Sequence, residues 1–239
     1  MTSNVSASAE GEAPVTDRPL VVAIDGPAAS GKSSTAKWVA AELGISHVDS
    51  GSLYRAATAA RLRRGGDPAQ WTEREVLDAA ADVTFVPVAR SMSPRLLGEP
   101  VDEELRGAAV TAAVSLVAKM PGVRDWVNTC VREAADRLPV VVDGRDMGTA
   151  VFPQAQLKIF LIADPWERAR RRLIQRLERR PMDDEIAAET EALVHRDAKD
   201  EAQTQRAPDA VLMDTTFLTQ QEQVERIVAL ARSVTTGGR

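Results

Sequence analysis

One stretch constrains this chain more than any other. Residues 20 to 33 read Leu-Val-Val-Ala-Ile-Asp-Gly-Pro-Ala-Ala-Ser-Gly-Lys-Ser. Leu20 to Ile24 is a short, β-branched apolar run, the signature of a buried strand. Gly26 to Ser33 fits G-x-x-x-x-G-K-S/T, the P-loop pattern. Ser34 to Leu43 follows with Ala36, Val39, Ala40 and Leu43 at helical spacing, and Gly44 is a natural helix stop. The loop therefore sits between a strand and a helix, where its chemistry requires it. Gly26 and Gly31 permit the turn, backbone N–H groups can form an anion nest, and the helix N-terminus adds partial positive charge. Lys32 can place an ammonium between β- and γ-phosphates, and the Ser33 hydroxyl can ligate Mg²⁺.

With 239 residues the chain is long enough for one large domain or a core with inserts. Its 44% hydrophobic and 27% charged content is ordinary for a globular protein. A net charge of −5 argues against a general nucleic-acid binder. Cys130 is the single cysteine, so no intrachain disulfide or cysteine metal cluster can form. No apolar run suffices to span a membrane, and the N-terminus lacks the basic and apolar regions of a secretory signal. These features lead to the expectation of a cytoplasmic protein. Residues 1–17, rich in Ser, Ala, Glu, Thr and Gly, read as a disordered tail.

Downstream, Ile45 to Val48 reads as a second strand, with His47 as a structural residue within it. Asp49-Ser-Gly-Ser-Leu-Tyr-Arg55 opens a helix from about Ser52 to Arg64. Ser50 and Arg55 thus lie at a strand's C-terminal end, where open α/β sheets bind ligands; a cap and a solvated arginine are the plainer alternative. Residues 72 to 81 look helical, Val83 to Val88 reads as a strand, and Arg95 to Val101 suggests two more short strands around a turn. That block interrupts the βα alternation and is expected to be an insert on the main sheet. Asp102 to Ala118, carrying Ser115, and Val123 to Arg137 are expected as helices. Arg124 stands in the second one's first turn against the helix dipole, serving either a ligand or a neighbouring acid such as Asp125. Cys130 and Trp126 are expected in the core.

Leu138 to Val142 predicts a buried strand running into Asp143-Gly-Arg-Asp-Met-Gly-Thr149. Asp143 can hold a Mg²⁺-bound water, Arg145 can grip phosphate in a bidentate fork, and Asp146 can accept from an exocyclic amine; an internal Arg–Asp pair is the alternative. After a strand over Leu157 to Ile162, Asp164-Pro165 starts an arginine-dense helix ended by Pro181. Arg168, Arg172, Arg176 and Arg179 fall on one stripe, with Leu173, Ile174 and Leu177 opposite. Such a stripe is usually solvated. A P-loop that needs triphosphate charge balanced favours a mobile, arginine-bearing lid. Residues 183 to 200 form another helix, Ala210 to Met213 a last strand, and Leu218 to Ser233 a closing helix before a loose Thr-Thr-Gly-Gly-Arg tail.

Taken together, the P-loop with Ile24-Asp-Gly-Pro, Asp49-Ser-Gly-Ser-Leu-Tyr-Arg, Asp143-Gly-Arg-Asp-Met-Gly-Thr, Val151-Phe-Pro-Gln-Ala-Gln-Leu-Lys-Ile-Phe-Leu and Arg196-Asp-Ala-Lys-Asp resemble the bacterial cytidylate kinases, P-loop nucleoside monophosphate kinases. The resemblance runs from Leu20 to Arg232. It implies an α/β three-layer fold around a central five-stranded parallel sheet, with a core over 18–49, 138–164 and 207–235, a nucleoside monophosphate-binding region with a small β insert over 50–137, and a lid over 165–206, together one domain over 18–235. It implies ATP contacts from Gly26, Pro27, Ala28, Ala29, Ser30, Gly31, Lys32, Ser33 and Ser34. Mg²⁺ is expected on Ser33 directly and on Asp143 through water. It further implies Ser50, Arg55 and Arg145 around the CMP phosphate and ribose, Ser115, Arg124 and Asp146 on the cytosine edge, and Arg196 and Asp200 on phosphate and sugar. Lys32, Arg145, Arg168 and Arg172 are expected to neutralise charge during transfer. The expected partners are ATP and CMP or dCMP, with no nucleic acid or membrane, and the expected state is a monomer. The chain departs from its relatives at Gln203, where an arginine is usual, and the stretch before Pro208 is shortened; Arg206 is the nearby cation. Kinases for other small acceptors such as UMP or shikimate, a nucleotide-dependent switch, and an inactive relative are the rival readings. The guanine-reading N-K-x-D tetrapeptide of GTPase switches is absent.

Overall fold

The computed structural model describes residues 19–136 and 138–236, so the expected disordered tail over 1–17, Arg137 and the final Gly-Gly-Arg lie outside the described residues. Val21–Asp25 (β1), Ser46–Asp49 (β2), Val140–Asp143 (β6), Leu157–Ile162 (β7) and Val211–Asp214 (β8) form a parallel sheet in the order β2-β6-β1-β7-β8. The register sets Asp143 beside both Ile24 and Asp49. The strand ends that carry the P-loop, the Asp49 turn and the Asp143 turn are therefore neighbours.

The central strands β6, β1 and β7 are buried on both faces, as their near-continuous apolar runs require, whereas Val211 and Leu212 of the edge strand β8 are exposed. Ala23, Val48, Val140 and Val142 point into one core. Val22, Ile24, Val141, Leu157, Ile159 and Leu161 point into the other. Alternation with period two divides the strands between the cores. Lys32–Leu43 (α1) and Gln220–Thr236 (α9) cover the second face. Ser50–Arg63 (α2), Ala108–Val117 (α5) and Pro121–Ala135 (α6) cover the first, with Trp126 and Cys130 half-buried against it. Each buried Val, Leu or Ile contributes on the order of 1.5–3 kcal/mol.

The β insert extends this sheet. Val83–Val88 (β3), Ser91–Leu96 (β4) and Glu99–Pro100 (β5) pair antiparallel, and β4 also runs parallel to β2. Leu97 and Gly98 both adopt positive φ (55° and 86°), the backbone of a two-residue hairpin. Glu73–Ala80 (α3) is closed by a Thr72/Glu75 capping box.

The structure corrects the expected helix boundaries in several places. The helix expected over Asp102 to Ala118 is two, Asp102–Arg106 (α4) and α5, because Gly107 takes an extended ψ of 158°. The arginine-dense helix, Pro165–Leu177 (α7), ends before Pro181, with Glu178 in the left-handed region at φ 53°. Arg179 therefore leaves the stripe and pairs with Glu185. Ile174, expected on the packed side of α7, is exposed. Asp183–Asp200 (α8) packs back on α7 through Ala169, Leu173, Ile186 and Leu193, which also enclose Ala28 of the P-loop. At the C-terminus, Thr235 and Thr236 continue α9 where a loose tail was expected.

Candidate active site

The P-loop conformation follows from its glycines. Gly26 has φ 147°, and a Cβ there would stand 2.2 Å from the Leu161 carbonyl oxygen. Gly31, at φ 89°, is the left-handed residue from which α1 starts. Lys32 follows in the first turn and is 7% exposed, its Nζ donating to the Pro27 carbonyl at 2.6 Å and to Ser30 Oγ at 3.5 Å. Burial, and then the Arg145 guanidinium, push its ammonium down to about 7 against the opposing carboxylates of Asp143 and Asp25. Phosphate oxygens brought into the loop would favour its charged form. Ser33 and Ser34 are exposed at the mouth of the loop. The Ala28 N–H is taken by Asp197 of α8 at 3.1 Å.

One cleft of about 1490 Å³ joins this loop to the Asp49 and Asp143 turns and to α5, α7 and α8. Of the P-loop residues expected to bind ATP, Ala28 through Ser34 line it, whereas Gly26 and Pro27 shape the turn behind. Ser33 Oγ donates to Asp143 Oδ2 at 2.5 Å. A hydroxyl and a buried carboxylate side by side are hard oxygen ligands of the kind that suits a small divalent cation such as Mg²⁺.

Away from the P-loop, two candidates meet as a pair. Arg124 from α6 donates to Asp146 in a charge-assisted hydrogen bond, so the acid facing Arg124 is Asp146 and not its neighbour Asp125. Burial raises the Asp146 carboxyl, with Arg124 opposing. Ser115 lines the same end of the cleft. Tyr54 does so too, and its buried hydroxyl has no hydrogen-bond partner among the described residues. Burial pushes that hydroxyl up to about 12.

Between the two ends lie the other expected cations. Arg145 donates to the Gly26 carbonyl at 3.1 Å and to Asp200 at 3.4 Å, and Arg196 reaches the same Asp200 oxygen at 3.7 Å. Arg196 Nε is buried without a hydrogen-bond partner among the described residues. Arg55 donates to the Leu105 carbonyl and Thr111 Oγ1, and burial lowers it to about 10 with Arg196 adding repulsion. Ser50 is buried and donates to the Asp143 carbonyl at 2.8 Å, which fixes the turn. Arg172 and Arg176 line the cleft and share Glu189 of α8.

Arg168 requires correction. Expected in the cleft, it is 4% exposed and absent from the lining, donating instead to the Ala28 and Ala163 carbonyls and to Asp197 at 2.6 Å. The helix turns that residue inward, where it fastens α7 and α8 to the back of the P-loop. Gln203 lines the cleft, whereas Arg206 is exposed outside it.

Sequence reasoning missed three carboxylate contacts. Asp25, directly before Gly26, accepts from the N–H groups of Met147 and Gly148 at 2.8 and 2.7 Å, tying the P-loop strand to the Asp143 turn. Burial outweighs those bonds and pushes it up to about 6. Asp49, beside Asp143 in register, caps α2 through Ser52 N–H and is likewise raised to about 6, by burial and then by the Asp143 charge. His47 Nε2 lies 2.7 Å from Asp143 Oδ1. Burial alone would lower His47; Asp143 more than offsets this and raises it. An acid just before the P-loop, and an acid two residues after a strand histidine, were the signals available.

Comparisons with known proteins agree with this geometry. A family model described as cytidylate kinase matches residues 22–233. The curated cytidylate kinase of Chlorobaculum tepidum is 40% identical over 230 residues, covering 93% of this chain and 97% of that one. That of Thermus thermophilus is 42% identical over 218 residues, covering 89% and 98%. A gluconokinase structure from Sinorhizobium meliloti 1021 aligns at a TM-score of 0.48 and 14% identity over 92% of this chain and 98% of that one, a likeness too loose to bear on function. With the family model spanning nearly the whole described chain and these relatives matched almost end to end, the chain belongs to the cytidylate kinase family.

Proposed function

We propose that the protein transfers the γ-phosphoryl group of ATP to the α-phosphate of CMP or dCMP, giving ADP and CDP or dCDP. The observation that carries this reading is one shared cleft, with Lys32 and Ser33 at one end, the Arg124–Asp146 pair at the other, and Arg145 between them. Residues 28–34 hold the donor phosphates. Ser50, Arg55, Arg145, Arg196 and Asp200 surround the acceptor phosphate and ribose. Ser115, Arg124 and Asp146 read the base, with the free Tyr54 hydroxyl as a further group for the acceptor to satisfy. Residues 18–49, 138–164 and 207–235 act as core, 50–137 as the acceptor-binding region, and 165–206 as lid, in a cytoplasmic monomer. No described helix is long and apolar enough to cross a membrane.

The acceptor oxygen is already anionic, so no general base is needed. Catalysis is positioning plus charge neutralisation by Lys32, Arg145 and Arg172. Bound Mg²⁺ would offset triphosphate charge, held by Ser33 directly and by Asp143 through water. Closure of α7 and α8 excludes water that would otherwise hydrolyse ATP. Asp146 accepts from the cytosine amine, whereas the O4 of uracil meets the carboxylate with repulsion. An unpaired buried polar group costs about 1–3 kcal/mol, or roughly ten- to a hundredfold in selectivity. Coupled ADP release from ATP·Mg²⁺ with CMP, dCMP, UMP and AMP tests the reading. Turnover led by CMP and dCMP supports it, and turnover led by another acceptor overturns the base-reading assignment.

A further inference from the structure

We infer that His47 is a positioning residue for the divalent-cation site: it clamps the Asp143 carboxylate so that its second oxygen faces Ser33. The inference rests on the reading of Ser33 and Asp143 as the metal-facing pair.

The placement follows from strand register. On β2, His47 stands opposite Val141 of β6, and Asp49 opposite Asp143. Residues two apart on a strand share a face, so His47 and Asp143 project to the same side of the sheet. Val141 belongs to the core under α1, so this is the face of the P-loop helix, whose first turn carries Ser33. The His47 backbone is fixed by pairing on both sides: β6 on one, and β4 on the other through a 2.9 Å bond from His47 N–H to the Arg90 carbonyl. The ring is buried, and Nε2 meets Asp143 Oδ1 at 2.7 Å while Ser33 Oγ meets Oδ2 at 2.5 Å. Among the described residues, each carboxylate oxygen thus has one side-chain donor, and the two bonds set the plane of the group. Partners of this kind, one bond behind a metal-facing carboxylate, alter metal affinity by about 10–100-fold when removed. With an apolar residue at 47, Oδ1 would lose its donor and the carboxylate could rotate away from Ser33.

The test compares His47→Leu, which removes the donor, with His47→Gln, whose amide nitrogen has the reach of Nε2. Mn²⁺ binding to the ATP-loaded full chain is followed by electron paramagnetic resonance, and the Mg²⁺ concentration for half-maximal turnover is measured in parallel. Circular dichroism establishes folding, and His47→Asn, whose shorter amide falls short of Asp143, replaces a leucine variant that does not fold. The expected result is a loss of about tenfold or more in Mn²⁺ affinity for His47→Leu, a matching rise in Mg²⁺ requirement, an unchanged KM for CMP, and recovery by His47→Gln. Asp143→Asn serves as the control. If it weakens Mn²⁺ binding while His47→Leu does not, or if His47→Gln is as weak as His47→Leu, the positioning role is overturned. If neither Asp143→Asn nor His47→Leu changes Mn²⁺ affinity, the metal assignment of Asp143 itself is overturned and the inference falls with it, leaving the acceptor-selectivity result for Asp146 untouched.

Discussion

Replacing Lys32 by Met should abolish turnover and yet stabilise the nucleotide-free protein. The ammonium is 7% exposed, and burial together with Arg145 holds its pKa at about 7 in the fold against 10.5 when solvated. Between those values the unfolded chain carries a proton that the folded chain does not, so the penalty is complete below pH 7 and is relieved as pH rises toward 10.5. Linkage gives a destabilisation of about 4 kcal/mol at pH 7 that falls to about 2 kcal/mol at pH 9. Removing the ammonium also leaves the Pro27 carbonyl and Ser30 Oγ without their donor, which costs about 1–3 kcal/mol. The net expectation is a nucleotide-free Lys32→Met protein more stable than the parent by about 1–3 kcal/mol at pH 7, with that advantage shrinking by about 2 kcal/mol at pH 9. Urea denaturation of both proteins at the two pH values measures it, because other titrating groups largely cancel in the difference. An identical stability difference at pH 7 and pH 9 would refute the reasoning, since Lys32 would then titrate as an ordinary exposed lysine.

The same depressed ammonium predicts that ATP binding at pH 8 takes up close to one proton as phosphate restores the charge on Lys32; calorimetry in buffers of different ionisation enthalpy measures this, and zero uptake would contradict it. Asp146→Ala should reduce the CMP-over-UMP preference by roughly ten- to a hundredfold, and an unchanged ratio of kcat/KM values would place cytosine recognition elsewhere. Arg168→Met should lower stability by on the order of 3 kcal/mol, because it leaves the Asp197 carboxylate without its cationic partner and two carbonyls behind the P-loop without a donor. A variant with the parental unfolding midpoint and collapsed kcat would instead return Arg168 to the chemistry.

Much of this protein is legible in one dimension. The P-loop is local: Gly26, Gly31, Lys32 and Ser33 must stand at fixed spacing between a strand and a helix, and backbone conformation follows from residue type. The buried strands were equally plain, since Val140 to Val142 is a continuous apolar run and Leu157 to Ile162 is broken only by Lys158, a pattern that suits a sheet covered on both faces. Ser115, Arg124, Asp146 and Asp200 could be placed through the family resemblance, and the fold brings them to one cleft. What the tertiary structure decided was pairing. The α7 arginine stripe reads alike whether it faces solvent, ligand or protein; Asp197 and Glu189 of α8 claim Arg168, Arg172 and Arg176, and that depends on how two helices pack. His47 looked like a strand residue until the register set it diagonally across from Asp143. The break at Gly107 was hidden because helix-forming residues stand on both sides of it, Asp-Glu-Glu-Leu-Arg before and an alanine- and valine-rich run after. Periodicity tells each side chain which face it takes, but the partner it meets there comes from a distant part of the chain, and only the packed fold selects it.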